Sequence, residues 1–67
     1  MTKAENLKLN LTVSKVKYFQ ENKFDKYVII DYIDGVINQA RKSESYSNEL
    51  LRHLFNVRQK VLLEKRV

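Results

Sequence analysis

Between Tyr27 and Lys42 the chain reads YVIIDYIDGVINQARK, and its apolar positions sort in two ways. Asp34-Gly35 flanked by Ile33 and Val36 is a strong signal for a two-residue β-hairpin turn. As a hairpin, one face carries Ile29, Asp31, Ile33, Val36, Asn38 and Ala40 and the other Val28, Ile30, Tyr32, Ile37 and Gln39. Neither face is cleanly polar, so a hairpin buries Asp31 or exposes a β-branched patch. Wrapped at 3.6 residues per turn the same letters separate. Ile29, Ile33, Val36, Ile37 and Ala40 form one stripe with Tyr32 beside it, while Asp31, Asp34, Gly35, Asn38 and Lys42 fall opposite. Gly35 costs that helix about 1 kcal/mol relative to Ala. Burying the large apolar side chains returns roughly 1.5 to 3 kcal/mol each, so the pattern predicts helix through Asp34-Gly35.

Downstream, SESYSNELLRHLFNVRQKVLLEKRV opens on Ser and Glu and closes on Lys and Arg, a polarity that suits the helix macrodipole. Ser45 or Ser47 is the expected N-cap. Leu50, Leu54, Val57 and Val61 keep a four-three-four spacing, and Leu51, Phe55 and Leu62 widen the seam. Glu49, His53, Asn56 and Lys60 line the opposite side, with Arg52 and Gln59 at its edges.

Upstream the signals conflict. Thr2-Lys3-Ala4-Glu5 matches a capping box and predicts helix from residue 3. Leu7, Leu9, Leu11 and Val13 nevertheless alternate with Lys8, Asn10 and Thr12, which is a strand pattern. A lone strand has nothing to pair with, so helix is expected from about residue 3 or 12 to 21. Glu21, Asn22 and Lys23 then turn the chain into the next helix.

These elements predict an all-α fold in a single domain, residues 1–67. Three helices are expected, roughly 3–21, 24–42 and 45–65, with the second and third forming an antiparallel helical hairpin. A 67-residue chain buries only about 60% of the surface its unfolded form exposes. With no Cys and one His, disulfide and metal support are not expected. A homodimer that completes a bundle therefore supplies the missing cover, through Leu50, Leu54, Val57, Val61, Ile33 and Val36.

The formal net charge is +5, and its distribution changes the picture further. Residues 1–20 carry four Lys and one Glu, residues 21–49 four basic and six acidic groups, and residues 50–67 five basic and one acidic. Both ends are positive. Arg52, Arg58, Lys60, Lys65 and Arg66, with Lys15 and Lys17, are the candidate nucleic-acid contacts, mostly to phosphate. Tyr18, Phe19, Phe24, Tyr27 and Tyr32 cluster near the break at Asn22, where they form either a base-stacking platform or the core between two helices.

Catalysis has little to stand on. His53 is the single imidazole, and no acidic residue is clearly placed to orient it. Asp31 and Asp34 lie one turn apart without a further ligand, so no metal is expected, and one glycine cannot build a phosphate loop. No cofactor is implied. The longest apolar run, Tyr27 to Ile30, is far short of the roughly 20 residues of a membrane span, and no export signal is evident. A cytoplasmic location is expected.

The segment LTVSKVKYFQENKFDKYVIIDYI resembles helix-turn-helix DNA readers in having a short helix, a polar break and a longer helix, although Lys17 stands where a small residue usually allows close crossing. Residues 28–60 also resemble the helical hairpin of sporulation aspartyl-phosphate phosphatases at Ser47, Glu49 and Leu50. Leu51 occupies the place of that family's functional Asp, so its activity is not implied. Two binding functions remain in view. One is a regulator that contacts nucleic acid through the basic residues, the other an antagonist or adaptor that docks an apolar helix face on a partner protein.

Overall fold

The computed structural model describes residues 1–43 and 46–64. Three helices follow one another: α1 at Lys3–Glu21, α2 at Lys26–Lys42 and α3 at Asn48–Leu62. Among the described residues there is no strand. Helix runs unbroken through Asp34-Gly35, as the period predicts. A Cβ built at Gly35 would meet nothing within 4 Å, so this glycine opens no close approach inside the chain.

The core is the stripe read from α2, Ile29, Ile33, Val36, Ile37 and Ala40 together with Ile30, packed against Leu50, Leu54 and Val61 of α3. Helix α1 closes it with Val16, assisted by half-buried Leu9 and Phe19. This corrects the expected interface. Leu50, Leu54, Val61, Ile33 and Val36 are buried within one chain, and Val57 is half-buried beside them. The cover that the wide seam asks of a second copy is provided by α1, because α1 begins at residue 3 and is long enough to lie along it. At about 1.5 Å per residue its 19 residues span roughly 28 Å of the molecule's 39 Å length.

Both ends of α1 are specified locally. At its start the capping box is complete: Glu5 N–H donates to Thr2 Oγ1 at 3.2 Å, and Thr2 N–H donates to Glu5 Oε1 at 2.9 Å. At its end the chain turns through Asn22 and Lys23. The Phe24 amide reaches back to Phe19 O at 3.0 Å and the Lys23 amide to Gln20 O at 3.1 Å. Phe24 also stacks on Phe19, with ring centroids 4.9 Å apart. These are the paired bonds and the apolar contact of a Schellman motif, whose left-handed position is usually glycine. Here Lys23 occupies it, at φ 58°.

Helix α2 starts after Asp25, whose carboxylate accepts from the Tyr27 amide at 2.8 Å, so it begins two residues later than expected. Ser47 caps α3, accepting from the Leu50 amide at 3.4 Å. The alternative cap, Ser45, lies outside the described residues.

One side chain joins two of these ends. Glu5 is 2% exposed, and its second carboxylate oxygen accepts from the Ser47 amide at 2.8 Å and the Ser47 hydroxyl at 2.5 Å. The carboxylate thus bridges the N-termini of α1 and α3, where the partial positive charge of both dipoles collects. Its pKa is lowered to about 2 from 4.5, first by the Ser47 hydroxyl and then by the Thr2 and Ser47 backbone bonds, with burial acting the other way. A depressed carboxylate pKa stabilises the fold above its unfolded value, and that stability is lost as pH falls toward the folded value. Acid unfolding followed by circular dichroism between pH 4.5 and 2 should therefore show a steep loss of stability that Glu5→Gln flattens.

Two substitutions should raise stability. Lys23→Gly relieves a left-handed non-glycine residue and is expected to gain about 1 kcal/mol. Gly35→Ala adds a methyl group to open space on an exposed helix face and should gain about 0.5 to 1 kcal/mol. Urea denaturation checks both, and destabilisation by either substitution would contradict the geometry described.

Candidate binding surfaces on the first helix

The strict alternation of Leu7, Leu9, Leu11 and Val13 has a consequence once it is wound into a helix. Residues two apart lie about 200° apart around the axis, so the four divide into two pairs on opposite sides. Leu9 and Val13 are half-buried, Leu9 against the core. Leu7 and Leu11 are each 61% exposed, and Tyr18, one and two turns further along the same face through Ser14, is 55% exposed. Helix α1 therefore carries two apolar stripes, and the outward one is not used by the fold.

The inward side of α1 mixes polar with apolar residues. Its buried residues are Glu5, Thr12 and Val16, and Thr12 satisfies its hydroxyl by donating to Lys8 O at 2.8 Å. Lysines border the outward stripe. Lys3, Lys15 and Lys17 are exposed, Lys8 is half-exposed with Nζ 3.5 Å from Gln39 Oε1, and Lys15 Nζ lies 5.5 Å from the Phe19 ring centroid. Acidic compensation is small, because Glu5 is committed to the helix ends and Glu21 is the other carboxylate on α1.

A second surface is the groove between α1 and α3, lined by Val13, Val16, Lys17, Gln20, Val57, Lys60 and Val61, with a volume of about 270 Å³. It brings together four residues that the sequence suggests for separate tasks, Lys17 and Lys60 for nucleic acid and Val57 and Val61 for an interface. The remaining basic candidates do not converge there. Arg58 Nε donates to Asp34 Oδ1 at 2.7 Å, so this arginine is paired across α2 and α3 and is not a free cation. Asp34 accordingly sits at the helix interface and not on a fully solvated face. Arg52 is exposed on α3, and Lys65 and Arg66 lie outside the described residues.

The aromatic cluster divides in the same way. Phe19 and Tyr32 are half-buried and meet edge to face at 5.5 Å between centroids, which makes them core. Tyr18 and Tyr27 are exposed. Lys26 Nζ lies 5.7 Å from the Tyr27 ring centroid and donates to Leu62 O at 3.3 Å, satisfying a carbonyl at the end of α3.

His53 is exposed on α3. Among the described residues no group of His, Asp and Glu could hold a metal ion, and no helix is long and apolar enough to cross a membrane. No protein-family model, curated protein or solved structure matches the chain.

Core and surface leucines should separate cleanly in stability measurements. Leu54→Ala removes a fully buried side chain and should cost about 2 to 5 kcal/mol. Leu7→Asn and Leu11→Asn should each stay within about 0.5 kcal/mol of the parent. A large loss from either of the latter would place that leucine in the core.

Proposed function

We propose that this chain is a non-enzymatic binding protein, an adaptor or antagonist that lays the outward face of α1 into a hydrophobic groove of a partner protein. The observation that carries this reading is the exposure of Leu7, Leu11 and Tyr18 along one helix face. Leu7, Leu11, Ser14 and Tyr18 stand at i, i+4, i+7 and i+11, the spacing with which an amphipathic helix presents anchors to a groove. The bordering lysines call for an acidic rim on that groove.

The scaffold behind α1 is an antiparallel hairpin of α2 and α3. Its support is the order of two contacts: Lys26 meets Leu62 near the start of α2, and Asp34 meets Arg58 further along it. Residue numbers rise on one helix as they fall on the other. Held against this hairpin by Glu5 at one end and by the Phe19, Phe24 and Tyr32 contacts at the other, α1 is ordered before it meets a partner. Preorganisation of that kind lowers the entropic cost of association.

Nucleic-acid binding is the second reading, favoured by the convergence of Lys17 and Lys60 on one groove and by exposed Tyr18 and Tyr27. Aliphatic anchors argue against it as the main role, since leucine contributes nothing to a phosphate contact.

Affinity capture from a native lysate of the source organism, with nuclease present, discriminates between the two. The parent protein should retain a defined protein partner that Leu7→Asp/Leu11→Asp loses by on the order of 100-fold in affinity, with unchanged helicity. Retention of nucleic acid that survives Leu7→Asp/Leu11→Asp but disappears in Lys17→Glu/Lys60→Glu would replace the first reading with the second.

A further inference from the structure

The groove between α1 and α3 makes no use of the outward stripe, and its chemistry is distinct. Its floor consists of four valines, Val13, Val16, Val57 and Val61. Each side chain is short and branched, so two packed helices leave a channel where longer residues would have filled it. Val16 and Val61 are buried and Val13 and Val57 half-buried, so the floor belongs to the fold, while the groove stays open to solvent beside the exposed Lys17 and Lys60.

Its margin is cationic. Lys17 from α1 and Lys60 from α3 both line it, and neither has an ion pair or hydrogen bond among the described residues. Gln20, the remaining lining residue, donates through Nε2 to Glu64 Oε2 at 3.2 Å, which places a carboxylate at the end of the channel beyond Gln20. An anionic group is therefore drawn toward the lysines.

We propose that this groove binds an unbranched aliphatic carboxylate, with the hydrocarbon chain along the valines and the carboxylate between Lys17 and Lys60. The volume of about 270 Å³ lies just under the usual range for small-molecule pockets, roughly 300 to 1,000 Å³, which selects a short to medium chain. Phosphate esters and nucleotides fit less well, because a valine floor offers neither hydrogen bonds nor a stacking face. Aliphatic cations are repelled by the same two lysines that favour the anion.

Methyl-labelled protein titrated with sodium octanoate, sodium hexanoate, 1-octanol and octylammonium tests this directly. Octanoate should produce saturable shifts confined to the methyl groups of Val13, Val16, Val57 and Val61. Two fewer methylenes should weaken hexanoate by about 16-fold, since each buried methylene contributes roughly fourfold. The alcohol and the ammonium should bind at least about fivefold more weakly than octanoate. Lys17 and Lys60 are exposed, so Lys17→Gln/Lys60→Gln keeps the fold, and it should bring octanoate down to the level of the alcohol. The proposal is overturned if the shifts fail to saturate, if they spread away from the valines, if 1-octanol or octylammonium binds as tightly as octanoate, or if the lysine variant binds like the parent.

Discussion

The carboxylate of Glu5 holds this small fold in register. The contacts between α1 and α3 join like ends, Glu5 to Ser47 at the starts and Gln20 to Glu64 at the finishes. Two helices placed side by side in this sense set their positive N-terminal dipole ends next to each other, and each end leaves amide groups without helical partners. A single buried anion resolves both problems, because one oxygen serves Thr2 and the other serves Ser47. Removal of the charge would leave a buried carboxyl with one proton to place among donors that all require an acceptor. The same bridge fixes the height of α1 along α3, and with it the alignment of Val13, Val16 and Lys17 opposite Val57, Val61 and Lys60.

Because α1 is fixed at its ends, its middle need not bury much. Helices α2 and α3 give their best apolar residues to the core, where Ile29, Ile33, Leu50 and Leu54 are fully excluded from water. Helix α1 contributes one fully buried aliphatic side chain, Val16, alongside Glu5 and Thr12. Its two most exposed leucines face water. An arrangement that spends little of a helix's apolar surface on folding leaves that surface for association, which connects the buried Glu5 bridge to the binding role proposed for the outer face.

The elements of this fold were largely legible in the sequence. Both interior stripes follow the 3.6-residue period, the caps at Thr2 and Ser47 carry the expected chemistry, and the turn through Glu21, Asn22 and Lys23 falls where polar residues interrupt the pattern. What remained hidden was long-range or ambiguous by nature. The second role of Glu5 depends on Ser47, 42 positions away, and no local motif announces it. Arg58 was readable as a cation but not as the partner of Asp34, for the same reason. The Leu7 to Val13 alternation fits a strand as well as a helix with two apolar sides, and only the packing of α1 on the other two helices decides between them. The residues of the candidate surface were therefore visible from the start, while their exposure was not.

The most direct measurement of the central claim is the titration of the Glu5 side-chain carboxyl carbon by NMR, in the parent protein and in Ser47→Ala. The double bridge predicts that Glu5 remains ionised well below 4.5 in the folded parent, down to about 2, and that loss of the Ser47 hydroxyl moves its titration upward. A Glu5 that titrates near 4.5 in the folded parent, and is indifferent to residue 47, would contradict the account.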